Sequence, residues 1–139
     1  MTLFLDTSAL VKLYISETDT EKVEWAVQQA ERVVVCVTAY TEARAALARL
    51  YREQALSTTD FTAVKLALER DWQNYTRLAV DETLAALAGG LAERYALRGF
   101  DAVHLAAALA QHRDTGDVLF LAFDKRLSRA ATQVLPLYV

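Results

Sequence analysis

Leu3-Phe4-Leu5-Asp6-Thr7-Ser8 opens the chain, and Val33-Val34-Val35-Cys36-Val37 follows it across a stretch of helical spacing. Both are short apolar runs, the second β-branched, of the kind buried on both faces of a parallel sheet. Thr2 to Leu5 is thus the expected first strand, and Val33 to Val37 the second. Between them Asp19 to Arg32 places Val23, Ala26, Val27 and Ala30 on one stripe of a helix. Strand, helix and strand in that order call for parallel pairing with the helix lying over the sheet.

Working outward, Thr38 to Gln54 repeats the helical pattern through Ala39, Ala43, Ala46, Leu47 and Leu50. Ser57-Thr58-Thr59-Asp60 resembles a capping box that opens a helix to about Tyr75. Asp81 can cap another to about Leu97, with Gly99 as its stop, and Asp101 begins a further helix to about Arg113, closed by Gly116. A last helix is expected from Lys125 to Ala131. Arg77 to Val80 and Val118 to Phe123 read as strands, and Val134 to Val139 as a weaker one whose Pro136 suggests a sheet edge. The expected fold is α/β: one domain over residues 1–139, with a largely parallel sheet of four to five strands and helices on both faces.

Composition agrees with a single core. The chain has 139 residues, 54% of them apolar, with four glycines and one proline, which excludes a disordered or linker-rich chain. No apolar run approaches the ~20 residues that cross a bilayer, and Asp6 interrupts the N-terminus too early for a secretory leader, so the cytoplasm is the expected compartment. Cys36 is the single cysteine and reads as a small buried hydrophobe. The 15 Lys and Arg against 18 Asp and Glu give a net charge of −3, which disfavours a coat protein for nucleic acid. It does not disfavour an enzyme that reaches nucleic acid through bound cations.

In an open parallel sheet, ligands bind beyond the carboxyl ends of the strands. Asp6 leaves the first strand there, and Asp124 leaves the strand Val118 to Phe123. Asp101 starts the helix that feeds that strand and so begins at the same edge. Glu42 lies about one turn into the helix after Val33 to Val37. Two ionised carboxylates ~4 Å apart repel by about 4 kcal/mol at an effective dielectric of ~20. A divalent cation removes that repulsion, and oxygen donors without paired histidines or thiols suit Mg²⁺ or Mn²⁺. Such a cation activates water against a phosphodiester. Taken one at a time, Asp101 and Asp124 also serve as helix caps and Glu42 as a solvated helix position. Asp81, which also follows a strand, reads more simply as a cap.

Read together, these segments resemble the PIN-domain ribonucleases, in particular the VapC-type toxins of toxin–antitoxin pairs. Leu3 to Tyr14 looks like the family's first motif, and Thr41 to Arg49 resembles the second, where a Glu precedes arginines. Arg98-Gly99-Phe100-Asp101-Ala102-Val103-His104 is similar to the third, and Leu121-Ala122-Phe123-Asp124-Lys125-Arg126 to the fourth. The resemblance covers essentially the whole chain. It departs at Ala122, where the family commonly has Thr or Ser. By resemblance, Asp6, Glu42, Asp101 and Asp124 hold Mg²⁺ or Mn²⁺ and activate water against RNA, leaving a 5′-phosphate and a 3′-hydroxyl. The resemblance further implies a homodimer and a cognate antitoxin partner that inhibits it. The alternative is a noncatalytic RNA- or antitoxin-binding module of the same fold.

Several other side chains carry two readings. Ser8, beside Asp6, either positions a water or a phosphate or caps the first helix, and Thr7 offers a second hydroxyl. Arg49, seven residues after Glu42, either grips RNA or pairs with an acid. Lys12 is a solvated lysine or a phosphate contact. Arg44, Arg52, Lys125, Arg126 and Arg129 are candidates for a rim that binds the RNA backbone. His104 is read as a hydrogen-bonded core residue or a support for the acids. Its distance from His112 excludes a two-histidine mechanism. Trp25, Trp72 and Tyr75 belong to the core or to an interface. A haloacid-dehalogenase-type phosphatase is disfavoured because Ser8 stands where its second Asp belongs, and no strand end presents a full response-regulator site.

Overall fold

The computed structural model describes residues 1–135. Its elements run β1 (Thr2–Leu5), α1 (Thr7–Val11), α2 (Thr20–Gln29), β2 (Arg32–Cys36), α3 (Thr38–Arg52), α4 (Thr58–Trp72), β3 (Thr76–Leu78), α5 (Glu82–Tyr95), α6 (Gly99–Thr115), β4 (Val118–Leu121) and α7 (Lys125–Val134). The four strands pair in parallel in the order β3-β2-β1-β4. The α/β class, the parallel sheet and the alternation of elements are those expected.

Side-chain alternation along the strands divides the core in two. Phe4, Val34 and Cys36 face one side and pack with α5, α6 and α7. Leu3, Leu5 and Val35 face the other and pack with α1 to α4. β1 is buried throughout and β2 over Val34 to Cys36 because helices lie over both faces, which is why these stretches read as apolar runs. Cys36 is buried and reduced, as read.

Differences from expectation have local causes. Ala96, not Gly99, ends α5: it takes the left-handed conformation, φ 53° and ψ 46°, and Gly99 instead begins α6. Asp101 is therefore two residues inside α6 rather than at its cap, a position held by Arg98. The helix from Ser57 stops at Trp72, short of Tyr75, because the chain must turn into β3. β4 ends at Leu121, so Ala122 and Phe123 form a link to Asp124. Val134 belongs to α7 rather than to a strand, and most of the proposed fifth strand lies outside the described residues. Trp25 is 61% exposed on α2, so it is not part of the core.

The topology places the site. From β1 the chain winds outward through β2 to β3, then returns to the far side of β1 as β4. The direction of winding thus reverses between β1 and β4, and a crevice opens at the carboxyl ends of those two strands. Asp6 and Asp124 follow them.

Candidate active site

Asp6 follows β1 and is 3% exposed. Its backbone N–H donates to the Leu121 carbonyl at 3.2 Å, which carries the β1–β4 ladder one residue past the strand. Its carboxylate caps α1: Oδ1 accepts from the Ala9 N–H at 2.9 Å and from the Ser8 hydroxyl at 2.7 Å. Ser8 is thus inside the helix and Asp6 is its cap, the reverse of one sequence reading. Ser8 Oγ also accepts from the Phe123 N–H at 3.2 Å, tying the segment before Asp124 to α1. Burial pushes the Asp6 carboxyl above its ordinary value, opposed by the Ala9 and Ser8 bonds and by nearby His104, and reinforced by Asp101.

Glu42 reaches the same edge from the first turns of α3. Its Oε1 accepts from the Thr7 hydroxyl at 2.8 Å and lies 2.7 Å from His104 Nε2, while Thr7 Oγ1 and His104 Nε2 are 3.1 Å apart. The carboxylate acceptor assigns the proton to Nε2. His104 is 1% exposed, and its Nδ1 is buried without a hydrogen-bond partner. Burial alone would raise the Glu42 carboxyl; the His104 and Thr7 bonds outweigh it and hold the group below its ordinary value, with a further pull from Arg98. His104 is thus a buried support for one of the acids, which links α1, α3 and α6.

Asp101 and Asp124 meet over Arg98. Arg98 Nε donates to Asp101 Oδ2 at 3.1 Å, and Nη2 lies 3.6 Å from Asp124 Oδ2. Asp124 Oδ1 at the same time caps α7 through the Leu127 N–H at 2.9 Å, so the capping reading of Asp124 is compatible with a second role for the other oxygen. Leu97, Arg98, Asp101, Phe123, Asp124, Lys125 and Arg126 line a cleft of about 400 Å³. Ala122, where a hydroxyl was expected, offers its carbonyl to Ser128 at 3.1 Å.

Other residues singled out in the sequence lie elsewhere. Arg49 is 73% exposed and paired with Glu53 at 3.0 Å, roughly 10 Å along the helix axis from Glu42. Lys12 is neither solvated nor aimed at the acids, since it binds Glu17 at 3.1 Å and the Thr18 carbonyl at 2.8 Å. Arg44 pairs with Glu69. Arg126 donates to the Ala96 carbonyl at 3.1 Å and lines the cleft with Lys125, and both also line a neighbouring hollow with Arg129. The residue that sequence reasoning passed over is Arg98, quoted within a motif but given no role. The available signal was its place: a cation at the N-terminal end of a helix, where the dipole disfavours positive charge.

Carboxylate oxygens and hydroxyls, without thiols and with the one nearby imidazole of His104 engaged to Glu42, form a donor set suited to a hard divalent cation. Asp6, buried and pushed towards its neutral form, is a group that a cation would relieve. As the side chains stand, no three His, Cys, Asp or Glu among the described residues converge closely enough to hold a metal. Each acid instead faces a protein donor: the α1 N-terminus for Asp6, Thr7 and His104 for Glu42, Arg98 for Asp101 and Asp124.

The chain matches the PIN domain family over residues 3–133. It is 38% identical over 135 residues to ribonuclease VapC45 of Mycobacterium tuberculosis (strain CDC 1551 / Oshkosh), a match covering 92% of this chain and 88% of the relative. Among solved structures, Mycobacterium tuberculosis VapC20, a sarcin-ricin loop cleaving toxin, superimposes with a TM-score of 0.68 at 20% identity, over 92% of this chain and 94% of that one. VapBC2 from Rickettsia felis, solved with a DNA fragment from its promoter, gives a TM-score of 0.63 at 12% identity, covering 93% and 92%. At those identities the two structures speak for the fold.

Proposed function

The chain belongs to the PIN-domain family, and from that membership we propose that it is the ribonuclease toxin of a VapBC-type toxin–antitoxin pair. It hydrolyses RNA phosphodiester bonds, works in the cytoplasm as a homodimer of one PIN domain per chain, and is inhibited by a cognate antitoxin. Asp6, Glu42, Asp101 and Asp124 hold the Mg²⁺ or Mn²⁺ on which cleavage depends. What supports this reading is that Asp6 and Asp124 follow β1 and β4 at the crevice, that Asp101 and Asp124 share Arg98, and that the chain's relative at 38% identity is a ribonuclease.

A bound Mg²⁺ or Mn²⁺ supplies Lewis-acid activation of water and neutralises charge at the phosphate. The protein's contribution is placement. Asp6 is fixed by the cap of α1 and by Ser8, so its carboxylate cannot swing away. Thr7 and His104 hold Glu42 ionised at the edge. Asp124 keeps one oxygen on α7 and presents the other to the cleft. Lys125, Arg126 and Arg129 offer charge for the RNA backbone beside it, where contacts set register rather than sequence.

The test is cleavage of a structured RNA by purified protein with Mn²⁺, against Asp6→Asn. Asparagine keeps an oxygen to cap α1 and removes the charge. Cleavage is expected to fall by at least about a hundredfold, as for loss of a group acting on the transition state, while the melting temperature in chelator holds or rises because a buried charge has gone. Full activity in excess chelator, or in Asp6→Asn, would refute the reading. RNA binding without turnover in the wild type would favour the noncatalytic module.

A further inference from the structure

Arg98 stands where local rules do not want it. It occupies the N-cap of α6, a position favouring Ser, Thr, Asp or Asn, and makes no side-chain cap there. The helix dipole at that end repels a cation. Its side chain is 78% exposed and nonetheless turns in to Asp101 Oδ2 at 3.1 Å and towards Asp124 Oδ2 at 3.6 Å. It also acts on Glu42 through space. One guanidinium thus stands against three of the four acids from the chain's own backbone. Asp101, three residues on, offsets part of that cost, but the reach to Asp124 has no such local reason and points to a function.

We propose that Arg98 is an internal counter-cation of the acidic crevice, which holds Asp101 and Asp124 in the metal-free protein and is displaced from them when a divalent cation binds. The inference rests on the metal-dependent reading above. Oδ2 of Asp101 and Oδ2 of Asp124 both face the guanidinium, so a cation that takes those two oxygens competes with it. The exposure of Arg98 lets it leave cheaply, since nothing in the core depends on its position. Exposed ion pairs are worth little, so the arginine lowers the apparent affinity for metal without abolishing it. The resulting device sets the concentration of divalent ion at which the site fills.

The experiment is a titration of Mn²⁺ into RNA-free, metal-stripped full chain, reading free Mn²⁺ by its paramagnetic resonance signal, for wild type, Arg98→Ala, Arg98→Met and Arg98→Lys. Asp6→Asn serves as the site control. Removing the guanidinium is expected to tighten Mn²⁺ binding roughly two- to tenfold in the Ala and Met variants, with Lys between them and wild type. The rise in melting temperature produced by Mn²⁺ should be correspondingly larger in Ala and Met. Equal or weaker binding in both overturns the proposal while leaving the metal site standing, provided wild type binds more tightly than Asp6→Asn. If wild type binds no better than Asp6→Asn, the metal-dependent reading and the proposal fall together.

Discussion

At the scale of single residues, Glu42 carries a hydroxyl and an imidazole on one oxygen while about a third exposed. Burial opposes its charge, yet the two bonds win and keep its carboxyl below the ordinary 4.5. A carboxyl depressed in the fold contributes stability that is complete above the unfolded value and is lost as pH falls through the folded one. The stability advantage of wild type over Glu42→Gln, from urea unfolding in chelator, is therefore expected to shrink as pH falls below about 4.5. A difference that failed to shrink down to about pH 3 would mean that the His104 and Thr7 bonds do not favour the charged form. Asp6, Glu42 and Asp124 were legible from their places beside strands or one turn into a helix. The partnership of Glu42 with Thr7 and His104 was not, because it spans 35 and 62 residues of sequence and depends on how three helices pack. Arg98 was legible only in part: Asp101 is three residues away, whereas Asp124 comes to it through the way α7 starts beside α6.

Helix starts follow from chemistry within four residues, and two were read at the right residue: Ser57 accepts from the Asp60 N–H at 3.0 Å and Asp81 from the Leu84 N–H at 2.8 Å, whereas α1 and α6 are capped at Asp6 and Arg98 rather than at Ser8 and Asp101. Helix and strand ends depend on what the next element needs, and there the reading ran long at α3, α4 and α5 and short at α6 and α7. α5 shows the reason. It stops at a left-handed alanine, exposed, whose carbonyl receives Arg126, so tertiary placement of α6 and α7 overrides the preference for glycine. Alanine in that conformation is strained, whereas glycine adopts it freely. Ala96→Gly is expected to stabilise the protein by about 0.5–1 kcal/mol despite the added freedom of the unfolded chain, raising the melting temperature by about 2–4 °C, with RNA cleavage unchanged. A lower urea midpoint would show that the strain is smaller than the entropy of the unfolded chain.

Across the whole molecule, the same topology that makes the sheet makes the crevice. α/β alternation was readable from apolar spacing, whereas the reversal of winding at β1 emerges only from the strand order, since no local pattern says on which side of β1 the last strand will pair. α6 couples core and site most closely. It packs against α5, β2 and β4, and on one helix it carries Asp101 at the edge, His104 beneath it and Leu105 fully buried. Leu105→Ala is expected to lower unfolding stability by about 2–5 kcal/mol, a large share of the 5–15 kcal/mol typical of a domain. Leu105 touches none of the acids through hydrogen bonds, so cleavage per folded molecule well below the melting transition should stay close to wild type. Asp6→Asn should show the opposite, with stability kept and cleavage lost. Measuring both variants by urea unfolding and by RNA cleavage at low temperature separates the core from the chemistry. If Leu105→Ala lost cleavage while still folded, the position of α6 would itself be part of the catalytic geometry, and packing beneath the crevice would count with the acids above it.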